Sequence, residues 1–257
     1  KYNNKRNSGA AHPAAVLAHR PPEAGPGVAP APEDCYYYYL YTFSFLFILL
    51  PLRYDRGLKK IHSKKNIVSY FFLIGLSFMF IEIILIQRFI LFFGFPLYAI
   101  AFILVTLMFF AGIGSLYSKR LNLKIQETKT SFHAIDVAII GLIVILITHV
   151  FFLTPIFERS FSLNWIPKLL ISFLIVAPLA FFMGMPFPLG LTWIKKTFEQ
   201  GIPWAWGING CASVIGSILS ILLLMHFGYT IVTFLVVIMY LTALVIFKIV
   251  FLKINNY

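Results

Sequence analysis

The chain has 257 residues, of which 60% are hydrophobic and only 12% are charged, and its mean hydropathy is +0.88. Because soluble domains carry about 25% charged residues, this chain lacks the polar surface that a water-soluble globule requires. Its net charge of +12 does not indicate nucleic-acid binding, since the basic residues stand in short clusters between long apolar runs. We therefore predict an all-α, polytopic membrane protein that contacts the lipid bilayer and no nucleic acid.

The segment 1–34 differs in composition from everything that follows it. Residues 9–34 are rich in Ala, Pro and Gly, whereas the remainder is rich in Ile, Leu, Phe and Lys. A segment of this kind cannot bury a core, so 1–34 is predicted to be disordered or not native to the protein. It also lacks the apolar stretch of a signal peptide.

Seven apolar runs follow, and a hydrocarbon core of about 30 Å requires about 20 such residues per helix. The first run is short and opens with four tyrosines, so an interfacial helix is an alternative to a crossing there. We predict a first membrane helix and a basic loop over 35–66, then a six-helix membrane domain over 67–257. The runs are 36–52, 67–87, 97–117, 134–154, 167–192, 204–225 and 230–250.

The connections between these runs alternate in basic content. Lys and Arg total fourteen on one side of the predicted membrane and three on the other. The positive-inside rule places the basic side, which includes the C-terminus, in the cytoplasm. Residue 35 then lies outside if the first run crosses.

Glu82 is the acidic residue that lies deepest in a predicted span. A carboxylate at membrane depth is costly unless it is protonated or paired, and such residues commonly serve function. No good partner stands three or four residues away, so Glu82 requires another helix, water or a proton. Two interpretations stay open, which are proton or substrate handling and an interhelical hydrogen bond.

Gln87 and Arg88 end the same span, just before the turn at 92–96. Arg88 can extend to the outer interface at little cost, or bind an anionic group or lipid headgroup there. Both residues are candidates for substrate binding.

The segment Gly184–Gly190 interrupts the fifth predicted span with Pro186 and Pro188. Each proline removes a helical hydrogen bond and clashes with the preceding turn, so the helix must kink or break. Broken helices form binding sites in transporters, whereas a structural kink without a ligand is the alternative.

The sixth span combines a polar side chain with a series of small residues. Asn209 can hydrogen-bond across a helix interface or share a polar site with Glu82. The small residues are predicted to let a neighbouring helix approach closely. They are Gly207, Gly210, Ala212, Gly216 and Ser220.

The sequence indicates no catalytic residue set, no metal site and no cofactor. Cys35 and Cys211 do not have the spacing of a zinc site or of a disulfide framework. The Gly112-Ile113-Gly114 segment follows no strand and opens no nucleotide-binding helix, so tight helix packing explains it better than phosphate binding.

Three blocks resemble the membrane part of bacterial spermidine-synthase-like integral membrane proteins. They are Tyr70–Ser115, GMPFPLGL at 184–191 and PWAWGINGCASVIGS at 203–217. The resemblance covers residues 40–250 and implies a bacterial inner-membrane location. In that family a Rossmann-like synthase domain normally precedes the helices, and this chain shows no Gly-rich nucleotide loop. The family often carries His where Phe95 stands.

The resemblance implies a membrane domain that is not an enzyme by itself. Its six-helix core is similar to half of a major-facilitator transporter, although the acidic residue usual in that family's loop is absent. We expect a small, cationic substrate at Glu82, Asn209 and the broken helix. The alternative is a non-transporting anchor for an aminopropyltransferase-like domain or subunit.

Overall fold

The computed structural model describes residues 64–127, 133–197 and 201–255, and within these ranges it contains helices and no strand. The predictions for 1–34 and for the first run at 36–52 lie outside the described residues. The helices are α1 (Lys64–Phe93), α2 (Pro96–Glu127), α3 (Ala134–Ser160), α4 (Trp165–Met183), α5 (Pro186–Thr197) and α6 (Ile202–Asn255).

Local sequence explains where several of these helices begin and end. Gly94 terminates α1 with a positive φ of 74°, which glycine adopts without strain, and Pro96 suits the first position of α2. At the start of α3, the backbone N–H of His133 donates to Asp136 Oδ2 at 2.9 Å, which forms one side of a capping box. A proline also separates α4 from α5, because Pro186 lacks the N–H that would continue α4.

Five stretches are long and apolar enough to cross a membrane, with α4 and α5 counted together. The α1 stretch is the most enclosed, with 61% of its apolar window buried, against 28% for α2. Large apolar side chains point outward from the other helices, as lipid contact requires. The described part of the chain is thus all-helical, and its five apolar stretches indicate a multi-pass membrane protein in which α1 is the most enclosed of these helices.

Helix α6 has 54 residues and is interrupted at Gly228, whose φ and ψ are 72° and 175°. Its first half, 202–227, packs along α1 in the same direction. A Cβ on Gly75 would lie 2.6 Å from the Asn209 carbonyl oxygen, and one on Gly216 would lie 3.1 Å from Met79 Cβ. We call this contact the first seam.

The second half of α6, 229–255, contacts α1 in the opposite order. The Arg88 guanidinium lies over the Tyr229 ring at 4.4 Å, and the rings of Tyr70 and Phe247 are 5.7 Å apart. The two halves of α6 therefore run antiparallel beside α1. We call this contact the second seam.

Helices α2 and α4 approach each other through backbone atoms. Gly114 packs directly on the Phe181 carbonyl group, and Gly184 packs on the Ala111 carbonyl group, so neither position has space for a Cβ. Gly112, by contrast, faces open space. One glycine of the 112–114 segment thus serves close helix packing.

Candidate functional site

Glu82 lies near the middle of α1 and is 8% exposed. It forms no hydrogen bond and no ion pair with any residue that the structure describes. It follows Gly75 by seven residues, so helical periodicity places it on the face that forms the first seam. The register of that seam brings it to the height of Ser220, whose hydroxyl donates to the Ser217 carbonyl at 3.0 Å.

Asn209 occupies the same seam two turns away. A Cβ on Gly75 would lie 2.7 Å from Asn209 Oδ1, and the Asn209 carbonyl accepts a hydrogen bond from Ser213 Oγ at 2.9 Å. Seven residues of helix correspond to about 10 Å along the axis, so Asn209 and Glu82 share a seam without touching.

The broken helix lies further from Glu82. The Tyr70 hydroxyl donates to the Pro186 carbonyl at 2.8 Å in a buried position, and Thr192 Oγ1 donates to the Pro188 carbonyl at 2.8 Å. Since twelve residues, or about 18 Å of helix, separate Tyr70 from Glu82, the break and the carboxyl group do not form one site. Protein groups satisfy these carbonyls, and Gly184 is enclosed by α2.

The remaining members of the predicted small-residue series divide between two faces. Ala212 and Ser220 are buried, with Ala212 Cβ 3.1 Å from a Cβ on Gly75. Gly207 and Gly210 face outward, and a Cβ at either position would meet no described atom within 4 Å. These two glycines do not pack against a described helix of this chain.

Arg88 is half-buried and does not extend freely towards the interface, whereas Gln87 is exposed. Arg88 Nη2 donates to Thr154 Oγ1 of α3 at 2.6 Å, and the Arg88 guanidinium group lies over the ring of Tyr229 of α6. The side chain thus connects three helices.

Two buried hydroxyl groups in the second seam escaped the sequence analysis. Ser77 Oγ and Tyr240 Oη are fully buried and have no hydrogen-bond partner among the described residues. Ser77 precedes Arg88 by eleven residues and Tyr240 follows Tyr229 by eleven, so the antiparallel register places them at the same height. The sequence alone does not show that Ser77 and Tyr240 lie at the same height, because this follows from the antiparallel course of the second half of α6.

A second buried carboxylate also escaped the sequence analysis. Asp136 is 1% exposed at the start of α3, and Lys248 Nζ of α6 lies 3.0 Å from its Oδ1. This contact is an ion pair without hydrogen-bond alignment. Lys248 therefore ties the second half of α6 to α3.

A cavity of about 250 Å³ lies between α3 and α4. His149 is 8% exposed at this cavity and lies beside the backbone of Ile175, three residues before Pro178. The lining residues are apolar apart from His149 and Thr148, so the cavity offers two polar side chains in apolar surroundings.

These features define a class, which is a multi-pass helical membrane protein whose central helix carries a carboxyl group that is unpaired within the described ranges. No family model matches the chain, and no curated protein matches it. The resemblance to spermidine-synthase-like membrane proteins therefore stays a prediction.

Proposed function

We propose that this chain is the membrane domain of a spermidine-synthase-like protein and binds a small cationic substrate at Glu82. The observation that carries the proposal is a buried carboxyl group with neither ion pair nor hydrogen bond among the described residues. Glu82 lies about 5 Å from the midpoint of α1, which is well inside a hydrocarbon core of about 30 Å.

A substrate ammonium group would supply what Glu82 lacks. An isolated charge in apolar surroundings costs several kcal/mol, and a paired, hydrogen-bonded one costs far less. Ser220 stands at the same height in the first seam, and Asn209 lies two turns away, which suits a linear molecule with several polar groups. The proposed chemical class is therefore a short linear polyamine.

The proposed topology has six crossings within 64–255, with α6 counted as two, and resembles half of a major-facilitator transporter. The antiparallel contacts of α6 with α1 support it, because a straight 54-residue helix would extend about 80 Å. The excess of Lys and Arg on one side supports a cytoplasmic C-terminus in a bacterial inner membrane.

Entry to Glu82 requires the first seam to open. Small residues hold this seam together at short range, so few side chains must be displaced when it separates. The non-helical Gly228 gives the first half of α6 a pivot.

The test measures binding of radiolabelled spermidine to the purified protein and its uptake into proteoliposomes. For Glu82→Gln we expect at least about tenfold weaker binding, since a charge-assisted contact is worth about 1.5–3 kcal/mol. Glu158→Gln is the matched control because Glu158 is exposed at the end of α3. Wild-type spermidine binding by a folded Glu82→Gln variant contradicts the proposal.

A membrane anchor for an aminopropyltransferase-like subunit is the second candidate. The Tyr70 hydrogen bond to the Pro186 carbonyl and the backbone contacts between α2 and α4 favour it, because they hold these helices closely together. An anchor predicts no spermidine binding by the wild-type protein and full membrane insertion of the Glu82→Gln variant.

A further inference from the structure

Two cations contact one group of aromatic rings at the end of the bundle where α1 stops and α4 starts. Arg88 belongs to α1 and Lys168 to the first turn of α4. We call the rings the terminal aromatic cluster. It consists of Phe92, Phe157, Phe161 and Tyr229.

The geometry joins both cations to this cluster. The Arg88 guanidinium carbon lies 4.4 Å from the Tyr229 ring centre and 5.9 Å from that of Phe157. Phe157 stacks on Phe92 with ring centres 4.2 Å apart. Lys168 Nζ lies 5.4 Å from the Phe92 ring and 4.9 Å from that of Phe161. The rings hold the charged groups in place but do not neutralise them.

Neither cation forms an ion pair with a carboxylate in the described ranges. Arg88 uses Nη2 on Thr154, and its Nε is buried without an acceptor. The nearby charged residues of the α3 terminus are Glu158 and Arg159, both exposed and unpaired within the same ranges. This end of the bundle therefore carries an excess of positive charge and an unused donor.

The N-terminal end of α4 adds positive electrostatic potential around Lys168. The positive end of a helix dipole repels a cation in the first turn, and Asn164 makes no side-chain cap hydrogen bond to α4. The C-terminal ends of α1 and α3 offset part of the charge on Arg88. An anion beside Lys168 would relieve the repulsion and accept from the uncapped N–H groups.

The height of Arg88 identifies the region of the bilayer that it meets. It stands about 14 Å from the midpoint of α1, close to half of a hydrocarbon core of about 30 Å. In a bilayer centred on that midpoint, the headgroup region begins at this level.

We propose that Arg88 and Lys168 form a binding site for a phosphate oxyanion, held against the terminal aromatic cluster. Arg88 Nη1 would donate to a phosphate oxygen, since Nη2 is used on Thr154 and Nε is buried, and Lys168 would add a point charge. The phosphate belongs to a lipid headgroup or to a free phosphate compound. The site does not depend on Glu82 or on the proposed polyamine.

The test measures retention of phosphatidylglycerol on the detergent-purified full chain by native mass spectrometry. Phosphatidylcholine gives the comparison for net lipid charge, and inorganic phosphate is added as a competitor. We expect Arg88→Gln to weaken phosphatidylglycerol binding about tenfold and Lys168→Gln to weaken it less. Arg159→Gln removes the same charge from the same end and should leave binding within about twofold, because Arg159 touches no ring of the cluster.

If inorganic phosphate competes with phosphatidylglycerol, the site binds free phosphate compounds. If phosphatidylglycerol stays bound in the presence of inorganic phosphate, the site binds the lipid headgroup. Arg88→Lys keeps the charge and loses the planar guanidinium group, so it should bind with intermediate strength even if Arg88→Gln fails to fold. The proposal is overturned if neither probe binds, or if Arg159→Gln weakens binding as much as Arg88→Gln and Lys168→Gln do.

Discussion

The two seams of α1 use different physical means to hold the same helix. In the first seam, Gly75 and Gly216 let backbones approach, and the buried Glu82 is left without a partner. In the second seam, large side chains interlock, with Tyr70 against Phe247 and Arg88 against Tyr229. Close backbone contact loses few side-chain interactions when it separates, whereas interlocked rings must be unpacked. The contrast indicates that the first seam is suited to opening and the second to holding.

The largest expected effect follows from adding a side chain to the first seam. Gly75→Leu places a Cβ where the Asn209 carbonyl oxygen would be 2.6 Å away, so the helices must separate. We expect destabilisation of about 3 kcal/mol, measured by denaturant unfolding in detergent. Gly207→Leu is the control, since its Cβ would meet open space. Equal stability of the Gly75→Leu and wild-type proteins would show that the seam is already loose.

A smaller effect is expected where the second half of α6 is tied to α3. Lys248→Met removes the ion pair with Asp136 and leaves that buried carboxylate with only the His133 backbone N–H and imidazole beside it among the described residues. We expect a loss of about 1–2 kcal/mol, below the larger cost known for fully buried pairs, because the Lys248 side chain is 51% exposed. Restored stability in the double variant Asp136→Asn, Lys248→Met would confirm that the unpaired charge is the cause. A Lys248→Met protein as stable as wild type would show that the Asp136–Lys248 ion pair does not stabilise the contact between α3 and α6.

The smallest effects distinguish two buried phenols of the same bundle. Tyr70→Phe removes the donor to the Pro186 carbonyl and should cost about 1 kcal/mol, whereas Tyr240→Phe removes a hydroxyl without a partner and should be neutral or stabilising. The thermal unfolding midpoints of the two variants check the difference in sign. A destabilised Tyr240→Phe protein would reveal a partner for that hydroxyl.

Much of the helical architecture follows from local sequence. Apolar length predicts the crossings from 67 onwards, and Pro96 and Pro186 mark helix starts because proline lacks the N–H that a helix interior requires. The runs at 204–225 and 230–250 correspond to the two halves of α6, which meet at the non-helical Gly228.

The candidate site was less accessible to sequence reasoning. Glu82 is conspicuous because a charge in an apolar run is rare. The partners of Tyr70 and Asp136 come from distant helices, so they depend on register between helices, which no local pattern contains. The sequence predicts Asn209 and the break at Pro186 as neighbours of Glu82. In the structure they contact α1 at different heights, about 10 Å and 18 Å from Glu82 along the helix axis.

The most direct test of the central claim is carbodiimide labelling of Glu82 in proteoliposomes. An apolar carbodiimide reacts with protonated carboxyl groups in apolar surroundings. Mass spectrometry should therefore find Glu82 modified and the exposed Glu158 largely unmodified. If Glu82 binds a polyamine, spermidine should reduce the labelling of Glu82 in a concentration-dependent manner. Labelling of Glu82 that spermidine leaves unchanged would contradict the account.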